Sequence, residues 1–87
     1  MQVKIIYGEV GQGSVQVVEY ESKYFIRYDA GAHQVVWRED EISKEEAESI
    51  SQNEVMAEQV LVSLQNRLLV AGINPYISNW KPEASST

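Results

Sequence analysis

WREDEISKEEAE, residues 37 to 48, is where one periodicity stops and another starts. Before it, apolar residues recur at every second position, the repeat of a strand; after it they recur every third or fourth, the repeat of a helix. The stretch therefore divides the chain into a β half and an α half. Six of its twelve residues are carboxylates, and what that charge does is the main question the sequence raises.

Working back towards the N-terminus, His33, Val35 and Trp37 alternate with Gln34, Val36 and Arg38. Tyr24, Ile26 and Tyr28 alternate with Phe25, Arg27 and Asp29; Val15, Val17 and Glu19 with Gln16, Val18 and Tyr20; Val3, Ile5 and Tyr7 with Gln2, Lys4 and Ile6. Between them stand turn residues: GQGS at 11–14, Glu21-Ser22-Lys23, and Ala30-Gly31-Ala32. Connections this short allow antiparallel pairing only. The reading is a meander of three to four antiparallel strands. Glu39, Asp40 and Glu41 then read as a solvated loop.

Working forward, Ser43-Lys44-Glu45-Glu46 matches a capping box, in which the serine hydroxyl and the glutamate carboxylate each accept the other's backbone N–H. Ala47, Ile50, Ala57, Leu61, Leu64, Leu68 and Ala71 follow at helical spacing, and Gly72 with Pro75 ends the pattern. The expected fold class is α+β: the meander, then a long C-terminal amphipathic helix over 44–71 packed on one face. A break near Ser51-Gln52-Asn53, three poor helix formers, is the alternative. INPYISNW, residues 73–80, is too apolar for a free tail and is expected to pack back, as an edge strand for instance. Residues 1–80 are read as one domain and 81–87 as a disordered tail.

With 87 residues, the chain has material for one modest core. It has no cysteine, which removes disulfides, thiolate metal sites and a thiol nucleophile. Neither a signal-peptide pattern nor an apolar run of about 18 residues is present, so the expected location is cytoplasmic, with no membrane contact. The net charge is −6. Glu39 to Glu58 holds eight acids and one lysine, net −7, while the remainder holds five acids and six bases, net +1. That balance argues against direct binding of nucleic acid, which needs clustered lysine and arginine.

No compact catalytic or cofactor constellation is legible. The glycines of GEVGQGSV (8–15) do not have dinucleotide-loop spacing, and no lysine follows them. His33 is the only histidine, and nothing in the spacing of Ser14, Tyr20, Tyr28 or Asp29 brings them to it. The acidic stretch lacks the glycine and alternation of a calcium loop. No enzyme activity, cofactor or metal is expected. Carboxylates in a first helical turn face the positive end of the helix dipole, so much of the charge starts and solubilises the helix.

Two apolar surfaces remain. Val55, Val62 and Leu69 form a second helical stripe at seven-residue spacing, away from the expected core face. Ile6, Val18, Tyr20, Phe25 and Val36 fall opposite Ile5, Val17, Tyr24, Ile26 and Trp37 on the sheet. One helix covers one face only, so the other awaits a second copy, a partner, or residues 73–80. The expected function is a small acidic, non-enzymatic protein-interaction module. It acts as a homodimer through Val55, Val62, Leu69, Ile6, Val18 and Phe25, and meets a basic protein through Glu39, Asp40, Glu41, Glu45, Glu46 and Glu48. The alternatives are an acidic inhibitor that mimics nucleic acid, and a small-ligand module with a pocket between helix and sheet lined by Tyr7, Tyr24, Tyr28 and Trp37.

Overall fold

The computed structural model describes residues 3–11, 13–31 and 33–82. Four strands, β1 (Lys4–Gly8), β2 (Val15–Tyr20), β3 (Lys23–Asp29) and β4 (Trp37–Ile42), are followed by α1 (Lys44–Gln52) and α2 (Met56–Val70). The strands pair in sequence order as one antiparallel sheet, β1-β2-β3-β4. The fold is α+β, with helices of nine and fifteen residues in place of one long helix.

The helix breaks at Asn53, a weak helix former that follows Ser51 and Gln52. Asn53 is extended, and its side chain accepts the Val55 N–H at 3.1 Å, while Met56 N–H donates to the Asn53 carbonyl at 2.9 Å. Asparagine competes for backbone groups in this way, which favours turns over helix interiors. The capping box of α1 is formed in both directions, Glu46 N–H to Ser43 Oγ at 3.0 Å and Ser43 N–H to Glu46 Oε1 at 2.9 Å. At the end of α2, Gly72 adopts φ 82°, and the paired bonds Gly72 N–H to Leu69 O and Ile73 N–H to Leu68 O make a Schellman motif.

The fourth strand is displaced from its expected place. It begins at Trp37, and Glu39, Asp40 and Glu41 are strand residues, not a solvated loop. Two features move it. Asp29 Oδ1 accepts the N–H groups of Gly31 and Val36, both at 2.9 Å, and Ala30 N–H donates to Val36 O, which brings Val36 back beside the end of β3. A side chain on Gly31 would lie 1.7 Å from the Gln34 carbonyl, so only glycine fits that approach. The register also sets Arg27 opposite Glu39 and Tyr28 opposite Arg38, cross-strand pairs that hydrophobic alternation does not reveal.

The core forms on one side of the sheet. Val17, Ile26, Tyr28 and Ile42 meet Ala47 and Ile50 of α1 and Val60 and Leu64 of α2. Register slips change two residues' faces. A bulge between Ile5 and Tyr7 puts Ile5 opposite Val18 and Tyr7 opposite Val17, and Ile6 packs against the core with Tyr7. Trp37 pairs with Asp29, in the row set beside Arg27 and Phe25, and so lies on the face away from Ile26. Of the expected tail, Lys81 and Pro82 have no regular structure, and residues 83–87 lie outside the described residues.

The β2–β3 hairpin turns on Glu21 and Ser22, with φ of 53° and 66°. Both values are in the left-handed region, the geometry of a two-residue type I′ turn, which asparagine and glycine adopt with least strain. Ser22→Gly is expected to raise stability by about 1 kcal/mol, a gain of about 4–8 °C in Tm for a domain of this size. Thermal unfolding followed by circular dichroism checks this, and an unchanged or lower Tm contradicts the turn assignment.

Candidate interaction surfaces

The acidic segment divides into two sets of carboxylates. The chain has three arginines, and each is bonded to one carboxylate of the segment. Arg27 Nε reaches Glu39 at 2.6 Å, Arg38 Nη2 reaches Asp40 at 2.8 Å, and Arg67 Nη1 reaches Glu46 at 2.8 Å. Glu41, Glu45, Glu48, Glu54 and Glu58 are exposed, and among the described residues none of these five forms a salt bridge. Three of the six carboxylates expected to meet a partner, Glu39, Asp40 and Glu46, are thus engaged within the chain, and Glu41, Glu45 and Glu48 face solvent. Among the described residues no three His, Asp or Glu side chains are grouped to hold a metal ion.

Asp40 is the deepest of them, 8% exposed, beside Arg38 at 4% and Tyr28 at 2%. Its Oδ2 accepts from Arg38 Nε at 2.9 Å and from the Tyr28 hydroxyl at 2.7 Å. Its Oδ1 accepts from Arg38 Nη2 at 2.8 Å and from the Asn79 amide at 3.2 Å. Burial, reinforced by the hydrogen bond to Asp40, pushes the Tyr28 phenol up, so it stays a proton donor. The hydrogen bonds to Asp40 hold the Arg38 guanidinium above its ordinary value, against a smaller loss from burial. Arg38 and Asp40 are two residues apart on one strand and so share a face, a spacing visible in the sequence but indistinguishable there from surface charge.

The same cluster positions residues 74–80. Arg38 Nη1 donates to the Ile77 carbonyl at 2.5 Å, and Pro75 is fully buried. Asn79 then covers the free edge of β4. Its side chain accepts the Glu39 N–H at 2.8 Å and donates to the Glu39 carbonyl at 3.1 Å, and its own N–H donates to Trp37 O. The segment is no strand, but one amide side chain makes the pair of bonds an edge strand would make, which blunts an edge otherwise open to aggregation.

Beyond that edge the chain reaches the sheet's second face. The Trp80 ring lies 4.6 Å under the Arg27 guanidinium, a cation–π contact. Arg27 also bonds Gln16 at 3.0 Å and Glu39, its neighbours in register across three strands. Tyr20 and Phe25 place their rings 6.2 Å apart. Val18 is 1% exposed and Phe25 half-buried. Of the side chains expected to meet a twin, Val18 is buried, and Ile6, like Phe25, is half-buried. Val55, Val62 and Leu69 are 66%, 54% and 56% exposed, on a helix whose Val60 and Leu64 are buried.

One cleft of about 660 Å³ opens between the β1–β2 hairpin and the start of α2. Tyr7, Val15, Tyr28, Val55, Ala57 and Leu61 line it, with Glu54 and Glu58 beside them, and the Tyr7 hydroxyl donates to Glu54 at 3.2 Å. Of the four aromatics expected to line a pocket, Tyr7 and Tyr28 do. Tyr24 lines a separate groove with Lys23, Glu41 and Lys44, and Trp37 is on the other face of the sheet. The glycine loop makes a hairpin connection in which Ser14 Oγ donates to the Glu9 carbonyl at 3.0 Å. His33 is exposed in the β3–β4 loop, while Tyr28 and Asp29 bond elsewhere. No helix is long and apolar enough to cross a membrane among the described residues.

No protein-family model, curated protein or solved structure matches the chain.

Glu46 joins the two helices, since it caps α1 and binds Arg67 of α2 at 2.8 and 3.2 Å. Burial alone would raise its carboxyl, but the bonds from Arg67 and from the Ser43 N–H outweigh that and hold it below its ordinary value of 4.5. A depressed carboxylate stabilises the fold above that ordinary value and loses its contribution as pH falls through the folded value. Glu46→Gln keeps a capping side chain but removes the charge. It is expected to cost about 0.5 kcal/mol at pH 7. The difference from the native chain should close in acid below pH 4.5. Urea unfolding at the two pH values checks this, and a difference that does not depend on pH contradicts it.

Proposed function

We propose that the chain is a non-enzymatic interaction module that acts as a homodimer and meets a basic partner protein. Its contact surface for that partner is the set of carboxylates Glu41, Glu45, Glu48, Glu54 and Glu58. One observation carries the reading: all three arginines are committed to Glu39, Asp40 and Glu46, and these five acids stand exposed. Unpaired like charges on one segment raise the local field and speed the approach of an oppositely charged surface. An acidic inhibitor is the special case in which the partner's basic surface ordinarily takes nucleic acid. The cleft beside Tyr7 and Glu54 favours a second reading, a small-ligand site, on the strength of its concave apolar lining.

A fluorescent peptide rich in lysine and arginine serves as the probe. Its Kd is expected to rise about tenfold or more between low and moderately high salt. Glu45→Gln/Glu48→Gln should weaken binding at low salt, while Glu19→Gln/Glu21→Gln, which removes as much charge elsewhere, should not. Fluorescence anisotropy measures both. Binding insensitive to salt, or weakened equally by the two variants, overturns the reading.

A further inference from the structure

The homodimer of the proposed function has a definite geometry. We infer that two copies pair through α2 in antiparallel orientation, with the two-fold axis passing beside Val62. Val62 lies midway between Val55 and Leu69, seven residues from each. Val55 has helical backbone angles, φ −62° and ψ −25°, so it continues the helical surface of α2. All three side chains are more than half exposed. An antiparallel two-fold at this point sets Val62 against Val62 and Val55 against Leu69 of the second copy, and a patch that maps onto itself is what an isologous contact requires. Seven-residue spacing on a 3.6-residue helix drifts slowly round the axis, which a shallow left-handed crossing absorbs.

Charge decides the direction. On α2 and the turn before it, Glu54 and Glu58 lie at the N-terminal end and Arg67 at the C-terminal end. A parallel pair would bring four glutamates to one end of the contact in a protein already at net charge −6. The antiparallel pair separates Glu58 from its counterpart by about 12 Å along the axis and Glu54 by about 24 Å, at 1.5 Å per residue, beyond the screening length of about 8 Å in physiological salt. It places Glu58 by Gln65 and Gln59 by Asn66 of the second copy, neutral neighbours in both cases. Beside Val62 a shallow hollow is lined by Glu58, Gln59, Val62, Ser63 and Asn66.

The pairing also touches the cleft. Val55 lines it and faces Leu69 of the second copy, so each cleft is bordered by the last turn of the other copy's α2.

The chain has no cysteine of its own, which makes thiol cross-linking a direct test. Light scattering on the native chain at about 100 μM is expected to give twice the chain mass, and Val62→Glu to give one chain mass with an unchanged circular dichroism spectrum. Under mild oxidation Val62→Cys should cross-link two chains. Val55→Cys alone should not, because its two thiols lie about 21 Å apart along the axis, whereas Val55→Cys/Leu69→Cys should. Cross-linking of Val55→Cys alone overturns the antiparallel arrangement and leaves the homodimer standing. A monomeric native chain, or a dimer that Val62→Glu leaves intact, overturns the α2 contact altogether. The acidic surface is judged separately, because the Glu45→Gln/Glu48→Gln comparison reads side chains on α1, outside the α2 contact.

Discussion

The buried pair of Arg38 and Asp40 is the interaction on which the rest of the structure depends. Taking two ions out of water costs several kcal/mol for each, and only good geometry with further hydrogen bonds offsets it. Both conditions are met. Two guanidinium nitrogens bind Asp40, its oxygens also take the Tyr28 hydroxyl and the Asn79 amide, and the third guanidinium nitrogen is bonded to the Ile77 carbonyl. The pair therefore fixes three parts of the chain at once. It sets the register of β4 against β3, holds Tyr28 in the core, and draws residues 74–80 over the β4 edge, from which Trp80 reaches the second face of the sheet.

The arginines also sort the negative charge. An acidic run reads as a uniform feature, but Arg27, Arg38 and Arg67 reach into it from β3, β4 and α2 and bind three of its members. Part of the run is architecture, joining strand to strand and helix to helix. What remains at the surface lies at β4's end, on α1, in the turn before α2 and, with Glu58, in the first turn of α2. Glu54 and Glu58 stand beside Val55 and Val62, so the acidic surface runs up to the edge of the exposed aliphatic stripe.

Much of this was legible in the sequence for physical reasons that act locally. Period-two alternation marked β1 to β3, the Ser43 and Glu46 pattern marked the start of α1, and Gly72 with Pro75 marked the end of α2. Each depends on neighbours within a few residues. The fourth strand was misplaced because His33 and Val35 imitate alternation, while the bonds that bring Val36 back beside β3, from Asp29 to Gly31 and Val36, depend on a bend that no local pattern announces. The bulge that turns Ile6 inward is likewise set by pairing with β2. Asp40 was hidden for a stronger reason. A buried carboxylate and an exposed one have the same sequence, and only the partners supplied by Tyr28 and by Asn79, 39 residues further on, distinguish them. The stripe at Val55, Val62 and Leu69 was visible because helix geometry alone places it away from Val60 and Leu64.

The most direct test of this arrangement is the unfolding free energy of Asp40→Asn, measured in urea beside Arg38→Met/Asp40→Leu. Asparagine keeps the shape but leaves the Arg38 guanidinium buried without its counter-charge. A loss of about 3–5 kcal/mol is expected for Asp40→Asn, with much of it recovered in the double variant, where no buried charge remains. A loss below about 1 kcal/mol, the range of an exposed ion pair, would contradict the central place given to this pair.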